Sequence, residues 1–311
     1  RKIHHAASIS TVAVDPTNPD VVYLGHAAGA NYKSTDGGLT WTQLTIPTQA
    51  NFASDLIEIA PSDPRIIYAT DAPSLLRSSD AGATWQGTNG YLSSVTDIAI
   101  HPTNPQILYA GTQFDSVQRS SDGGRTWTTG TGLPDLGVNA VAVDRSQPTT
   151  VYAGTAEPGT LYRSIDSGAT WQRLSVSGVS GAVLDIVSAD AGKVYVGTQY
   201  AGVYRSLDRG ATWLHRTAGI RGTDVRDLLV MPAAPNTIFA ATYGDGVHRS
   251  TDGGHTWTRR GLLGLKVGRL STFSAAGQTL YAATDKGVST RRATPAPPGA
   301  WSIPPSGGRA P

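Results

Sequence analysis

One pattern constrains this chain more than any other. Ser-x-Asp-x-Gly-x-Thr-Trp occurs six times without departure, at Ser34–Trp41, Ser78–Trp85, Ser120–Trp127, Ser164–Trp171, Ser206–Trp213 and Ser250–Trp257. The six tryptophans, Trp41, Trp85, Trp127, Trp171, Trp213 and Trp257, are spaced 44, 42, 44, 42 and 44 residues apart. The seventh and last, Trp301, lies 44 residues beyond Trp257. A unit of this length cannot bury its own apolar face, so successive units must stack on one another.

Each unit reads as four short strands. A first strand ends near a proline, as in Val95-Thr-Asp-Ile-Ala-Ile-His-Pro102, and a Thr103-Asn-Pro105 turn follows. A second strand reads Ile107-Leu-Tyr-Ala-Gly-Thr112, a short loop leads to a third such as Val203-Tyr-Arg-Ser206, and Thr-Trp opens a fourth. The density of 36 Gly and 19 Pro fits many strands joined by tight turns. The reading is an all-β fold: a single seven-bladed β-propeller of four-stranded antiparallel blades. The blades fall at about 9–44, 53–88, 95–130, 138–174, 183–216, 225–260 and 267–301, with a Pro/Gly-rich tail over 302–311.

The motif explains itself physically. The aspartates Asp36, Asp80, Asp122, Asp166, Asp208 and Asp252 are placed to accept N–H bonds from their own turns. The fifth-position glycine supplies a positive φ. The indole is an apolar wedge for the gap between blades, worth about 2–3 kcal/mol each on burial. The motif is therefore a folding device. In the seventh unit Arg291–Ala300, rich in proline, replaces it, and Trp301 in register points to a fourth strand after an enlarged turn. Arg1–Ala7 is the other candidate for that outer strand.

The fuller pattern, Asn-Pro-x-x-Val-Tyr-x-Gly-Thr…Tyr-Arg-Ser-x-Asp-Gly-Gly-x-Thr-Trp, resembles the Asp-box (BNR) superfamily over residues 9 to 301. Within it, the repeats look most like family 74 xyloglucanases, sortilin-type receptor propellers and photosystem II assembly factors. The resemblance implies a fold more than an activity, because propellers host many functions. Sialidases of the superfamily carry an Arg-Ile-Pro element and a Tyr–Glu pair. This chain has no Arg-Ile-Pro and only two glutamates, Glu58 in a first strand and Glu157 in a loop. Family 74 enzymes place a catalytic Asp after the second strand of the first blade, in a cleft between two propellers. The matching stretch here is Gly25-His-Ala-Ala-Gly29, without an acid, and there is no second propeller in the sequence.

Other chemistry finds little footing. Cysteine is absent, so neither disulfides nor thiolate metal sites are available. His-Glu-x-x-His, Gly-x-Ser-x-Gly and phosphate-loop motifs are missing, and no metal or cofactor is expected. His4-His5 is the one paired histidine and reads as a solvated terminus. A net charge of +2 without charge runs argues against nucleic acid, and no apolar stretch is long enough to span a bilayer. The cysteine-free composition and a start at Arg1 fit an exported protein, extracellular or periplasmic.

In the blade reading, loops after the second and fourth strands share one face. Its candidate ligand-binding residues are His26, Asp71, Tyr91, Gln113, Asp115, Glu157, Gln199, Tyr200, Arg221, Tyr243, Asp245 and Asp285, with Phe52, Asp135 and Asp224 on the inter-blade loops. Asp97, Asp185, Asp227 and Arg269 occupy one equivalent position in the innermost strands. Around a channel mouth they suit a cation or a polyhydroxyl ligand, or simply a wet channel. The mixture of Tyr, Gln and Asp on the loop face suits a protein segment or a glycan. Short rim loops favour a binding or scaffold propeller, or a subunit of a larger complex. If the chain is instead a glycoside hydrolase, Glu157 and Asp245 are its candidate catalytic carboxylates.

Overall fold

The computed structural model describes residues 8–26, 30–46, 56–71, 74–88, 92, 94–174, 179–272 and 279–292. They form seven antiparallel sheets in sequence order, six of four strands and a seventh of three, Val267–Thr272, Thr279–Thr284 and Gly287–Arg292. The sheets are the blades of a seven-bladed propeller. One short 3₁₀ turn, Asp190–Gly192, is the single helical element among the described residues, and none of their helices is long and apolar enough to cross a membrane. Trp301, His4-His5, the stretch 1–7, the Pro-rich stretch beyond Arg292 and the tail lie outside the described residues.

Blade four shows the common plan: Val138–Val143, Val151–Thr155, Leu161–Ser164 and Gln172–Arg173 pair in order outward from the axis. Alternating apolar residues on the two faces of each sheet pack against the blades on either side. Each of the six motif tryptophans does fill the gap to the preceding blade. Trp171 packs with Tyr109 and Val141, Trp257 with Tyr195 and Trp85 with Tyr23.

The motif turns match the expected hydrogen bonding and add to it. Asp166 Oδ1 accepts from the Thr170 N–H at 2.8 Å, and its Oδ2 accepts from the Thr170 hydroxyl at 2.6 Å. Ser164 Oγ accepts from the Gly168 N–H at 2.8 Å, and the Trp171 indole N–H is satisfied by Gly168 O at 3.2 Å. Both the fourth and the fifth residue adopt positive φ. The fifth is always glycine, whereas the fourth is Gly37, Ala81, Gly123, Ser167, Arg209 or Gly253.

Four of the seven seams between blades are stitched at this same turn. A second-strand tyrosine of one blade donates its hydroxyl to a motif-turn carbonyl of the next: Tyr23 to Ala81 O at 2.9 Å, Tyr109 to Ser167 O at 3.1 Å and Tyr195 to Gly253 O at 3.5 Å. The ring closes by the same device, because Tyr281 of blade seven donates to Gly37 O of blade one at 3.1 Å. Trp41 and Tyr281 share one apolar cluster there, and the Val14 N–H donates to Ser271 Oγ at 3.0 Å.

Candidate functional site

The innermost strands decide what the propeller presents at its axis. They are Ile9–Val14, Ile57–Ile59, Val95–Ile100, Val138–Val143, Val183–Ala189, Val225–Val230 and Val267–Thr272. Six begin with a one-residue slip in the pairing, a bulge at Ser10, Thr96, Asn139, Leu184, Arg226 and Gly268. A bulge re-aims a side chain and strengthens the local twist. Here Thr96 and Asn139 use it to bond the first strand of the next blade, at Val138 O and Val183 O.

Directly after the bulges stand the residues that the sequence aligns. Asp97, Asp185, Asp227 and Arg269 pair with Gly111, Gly197, Ala241 and Ala283. They share a ring position with Thr11 and Ala140 of blades one and four. Each aspartate spends one oxygen on the neighbouring blade: Asp97 Oδ2 accepts from Val141 N at 2.9 Å, Asp185 Oδ2 from Leu228 N at 2.6 Å and Asp227 Oδ2 from Leu270 N at 2.8 Å. These N–H groups belong to the inner edge of a sheet and have no strand partner, so a carboxylate in the next blade satisfies them.

Arg269 bridges two of the remaining oxygens. Its guanidinium reaches Asp97 Oδ1 in blade three at 2.9 Å and Asp227 Oδ1 in blade six at 3.4 Å. Three of the four residues, Asp97, Asp227 and Arg269, are thus bonded to one another across the channel, and Asp185 stands beside them with its Oδ2 on the Leu228 N–H. Beyond them a cavity of about 470 Å³ runs down the axis to the opposite face, past Ile59, Ile100 and Val143, to Pro16, Pro102 and Arg145.

A fourth carboxylate joins this cluster, and the alignment of ring positions did not place it there. Glu58 lies two residues deeper along the axis than the aspartates and lines the cavity. It makes no hydrogen bond to another described residue. Burial, with further contributions from Asp97 and Asp185, pushes its carboxyl up to about 7 against the pull of Arg269. Burial likewise raises Asp227 to about 7 and holds Asp185 well above the ordinary carboxylate range. For Arg269, burial opposes the charge, but Asp97, Asp227, Glu58 and Asp185 together outweigh it and raise its proton affinity. The available signal for Glu58 was its isolation: sister strands carry Ala13, Ala99, Ala142, Val187, Leu229 and Ser271 at the same register.

On the loop face the candidates divide. Gln113, Asp115, Asp135, Glu157, Tyr200, Arg221 and Tyr243 are exposed, and Gln199, Asp285 and His26 are half-buried. Asp71 closes the second strand of blade two, Ile67–Asp71, whereas Phe52 and Tyr91 lie outside the described residues. The most prominent side chains are aromatic: Phe114 is 62% exposed, Tyr200 73% and Tyr243 46%. Phe114 is absent from the sequence candidates, since a single aromatic in a short loop carries no pattern. Tyr200 has φ +66, at the turn position where blade six has Gly244 at φ +96. A positive φ costs a non-glycine residue about 1–2 kcal/mol, so the turn holds an exposed ring at some strain. Tyr243 lies under two cations, Arg226 at 5.1 Å and Lys266 at 4.8 Å from the ring centre, and Arg226 also bridges Asp224 at 2.8 Å.

Asp245 is held in a dense polar cluster. It is 9% exposed, and both oxygens are engaged. Oδ1 meets Arg259 Nη1 at 3.0 Å, while Oδ2 accepts from Arg221 N and Gly222 N at 3.2 Å each and lies 2.9 Å from His248 Nε2. Burial raises its proton affinity, but Gly222, Arg259, His248 and Arg221 outweigh it and hold the carboxyl below its usual range. Buried His248 is itself pushed down by burial, more than Asp245 pulls it up. The cluster pins the inter-blade loop to the turn of blade six.

No family model matches the chain. In sequence it is 26% identical over 210 residues to a probable oligoxyloglucan-reducing end-specific xyloglucanase of Neosartorya fischeri, covering 56% of this chain and 26% of that protein. It is 29% identical over 187 residues to a xyloglucanase of a Paenibacillus species, covering 52% of this chain and 16% of that one. The chain thus spans about a quarter or less of the length of these relatives. Among solved structures, YCF48 bound to D1 peptide superposes with a TM-score of 0.71 at 16% identity, over 93% of this chain and 92% of that one. The extracellular domain of a putative hybrid two-component system from B. thetaiotaomicron gives 0.72 at 16% identity, over 94% and 39%. An ancestral GH74 enzyme gives 0.55 at 15% identity, over 97% and 63%. At these identities the structures share the fold. The chain is a seven-bladed propeller related in sequence to xyloglucanases.

Proposed function

We propose that this chain is a non-catalytic binding or scaffold propeller that engages its partner, a protein segment or a glycan, through the loop face. One observation carries the reading: the loop face displays Phe114, Tyr200 and Tyr243, while Asp245 is buried and saturated by its neighbours. Exposed aromatic rings contribute contact area at low entropic cost, and a carboxylate with four donors is poorly placed to move a proton. The two cations beside the Tyr243 ring favour a protein segment over a stacked sugar at that point. The bound peptide named for YCF48 supports the same use of the fold, including a role as assembly factor or subunit of a larger complex. An exported location fits the fold shared with an extracellular domain. A second reading, a glycan-active enzyme, is favoured by the sequence relation to xyloglucanases.

The test is a screen of xyloglucan and sialosides for hydrolysis, run beside binding of the same glycans and of peptide libraries. Binding lost in Tyr200→Ala and Tyr243→Ala, without turnover, is the expected result. Turnover that disappears in Glu157→Gln refutes the proposal and establishes the enzyme.

A further inference from the structure

The channel cluster is out of charge balance. Glu58, Asp97, Asp185 and Asp227 face one guanidinium, Arg269. The innermost strands of blades one and four add no charge at the matching depths, where they carry Thr11, Ala13, Ala140 and Ala142. Arg145 is the further charged residue lining the cavity, at its far end. Four ionised carboxylates around one cation repel one another, most strongly among Asp97, Asp185 and Asp227, which are buried, and less at half-buried Glu58. Something positive must make up the difference. A metal ion is poorly suited, because no three acidic or histidine side chains among the described residues converge to hold one. Each aspartate is tethered through Oδ2 to a different blade. Protons need no such convergence.

We propose that the channel cluster is a proton-operated clamp on the propeller ring. Protons shared among the surplus carboxylates let Arg269 hold blades three, six and seven together across the axis. Proton loss sets the innermost strands against one another. The aspartates also join consecutive blades through backbone N–H groups, so their repulsion acts on the joints themselves. Glu58, which has no hydrogen-bonding partner among the described residues, is the group free to gain and lose its proton without breaking a bond.

The sign follows from linkage. Glu58 and Asp227 bind protons more tightly in the folded chain than in the unfolded one. Their contribution to stability is complete below the ordinary carboxylate range of about 4 and is lost as pH rises through about 7.

The experiment exploits the two glutamates of the chain. Carboxyl-¹³C glutamate labelling gives two side-chain resonances, and the exposed variant Glu157→Gln identifies Glu58 by elimination. Titration of the full chain is expected to move the Glu58 signal with a midpoint near 7. A midpoint near about 4.3, the value of a free glutamate, overturns the proposal. Thermal unfolding of the chain and of Glu58→Gln at about pH 5.5 and about pH 8.5 is the second arm. The unsubstituted chain is expected to lose melting temperature at the higher pH, and Glu58→Gln to lose less. Equal losses overturn the clamp, as does recovery of the melting temperature by added calcium or magnesium at the higher pH, which makes a cation the missing charge.

Discussion

Three of the six motif turns carry a strained residue that their sister turns avoid. Ala81, Ser167 and Arg209 have φ of +57, +59 and +56, where Gly37, Gly123 and Gly253 stand in the other blades. For an L-residue this conformation costs about 1–2 kcal/mol, and glycine adopts it freely. Glycine returns about 0.5–1 kcal/mol of that gain through the greater freedom of the unfolded chain. Ser167→Gly is therefore expected to stabilise by about 0.5–1 kcal/mol, a net of these two terms. The carbonyl that receives Tyr109 and the N–H that donates to Thr149 O belong to the backbone and survive the change. Ala81→Gly is expected to behave alike, since the acceptor for Tyr23 and Lys33 is also a carbonyl. Blades two and four do not touch, so the double variant should add, for a rise of about 2–6 °C in melting temperature on the scale for chains of this size. The neighbouring glycine is the control. A Cβ at Gly168 meets the Tyr109 ring at 3.0 Å with φ at +84, so Gly168→Ala must destabilise. Differential scanning calorimetry of the four variants measures all of this. Melting temperatures that fall in both Ser167→Gly and Ala81→Gly refute the strain argument.

The other expectations use the same scaffold. Tyr281→Phe removes the hydroxyl bond across the ring seam and should cost about 1 kcal/mol in urea unfolding, as Tyr109→Phe should at an interior joint; a silent Tyr281→Phe means that the seam is held otherwise. Trp171→Ala empties the wedge between blades three and four and should cost about 3–5 kcal/mol, read from the denaturation midpoint at constant m-value. Hydrogen bonds from Thr40, Thr84, Thr126, Thr170 and Thr212 hold the carboxyls of Asp36, Asp80, Asp122, Asp166 and Asp208 down to about 2. Their stabilisation is present above the ordinary carboxylate range and lost as pH falls through about 2, so the acid limb of the melting curve should flatten in Thr126→Val.

The fold was legible because its signal is written in a fixed register. Serine, aspartate, glycine and tryptophan recur at one place in every unit, and each has a local hydrogen bond or a gap to fill. The alignment of Asp97, Asp185, Asp227 and Arg269 was legible for the same reason, but their partners were not. Nothing in a linear pattern says that Arg269 reaches Asp97, 172 residues away, because that contact depends on ring diameter. Glu58 was legible as a charge in a first strand but not as a member of the cluster, since it sits at a different depth. The surroundings of Asp245 were not legible, because its donors come from three separate segments, at Arg221–Gly222, His248 and Arg259. The loop face stayed coarse, as its residues answer to a partner and not to the repeat.

The tyrosine stitches set the cost of turning a chain into a ring. Interior joints such as Tyr109 to Ser167 O span 58 residues, whereas the closing joint from Tyr281 to Gly37 O spans 244. Loop-closure entropy grows only with the logarithm of length, so the longer span adds about 1.3 kcal/mol. That is close to the strength of one net hydrogen bond. The last joint is therefore thermodynamically almost equivalent to the interior joints made by Tyr23, Tyr109 and Tyr195, and kinetically the slowest, because its two halves are the farthest apart along the chain. A chain reordered so that blade four comes first should build the same ring, with its late step moved to the joint between blades three and four.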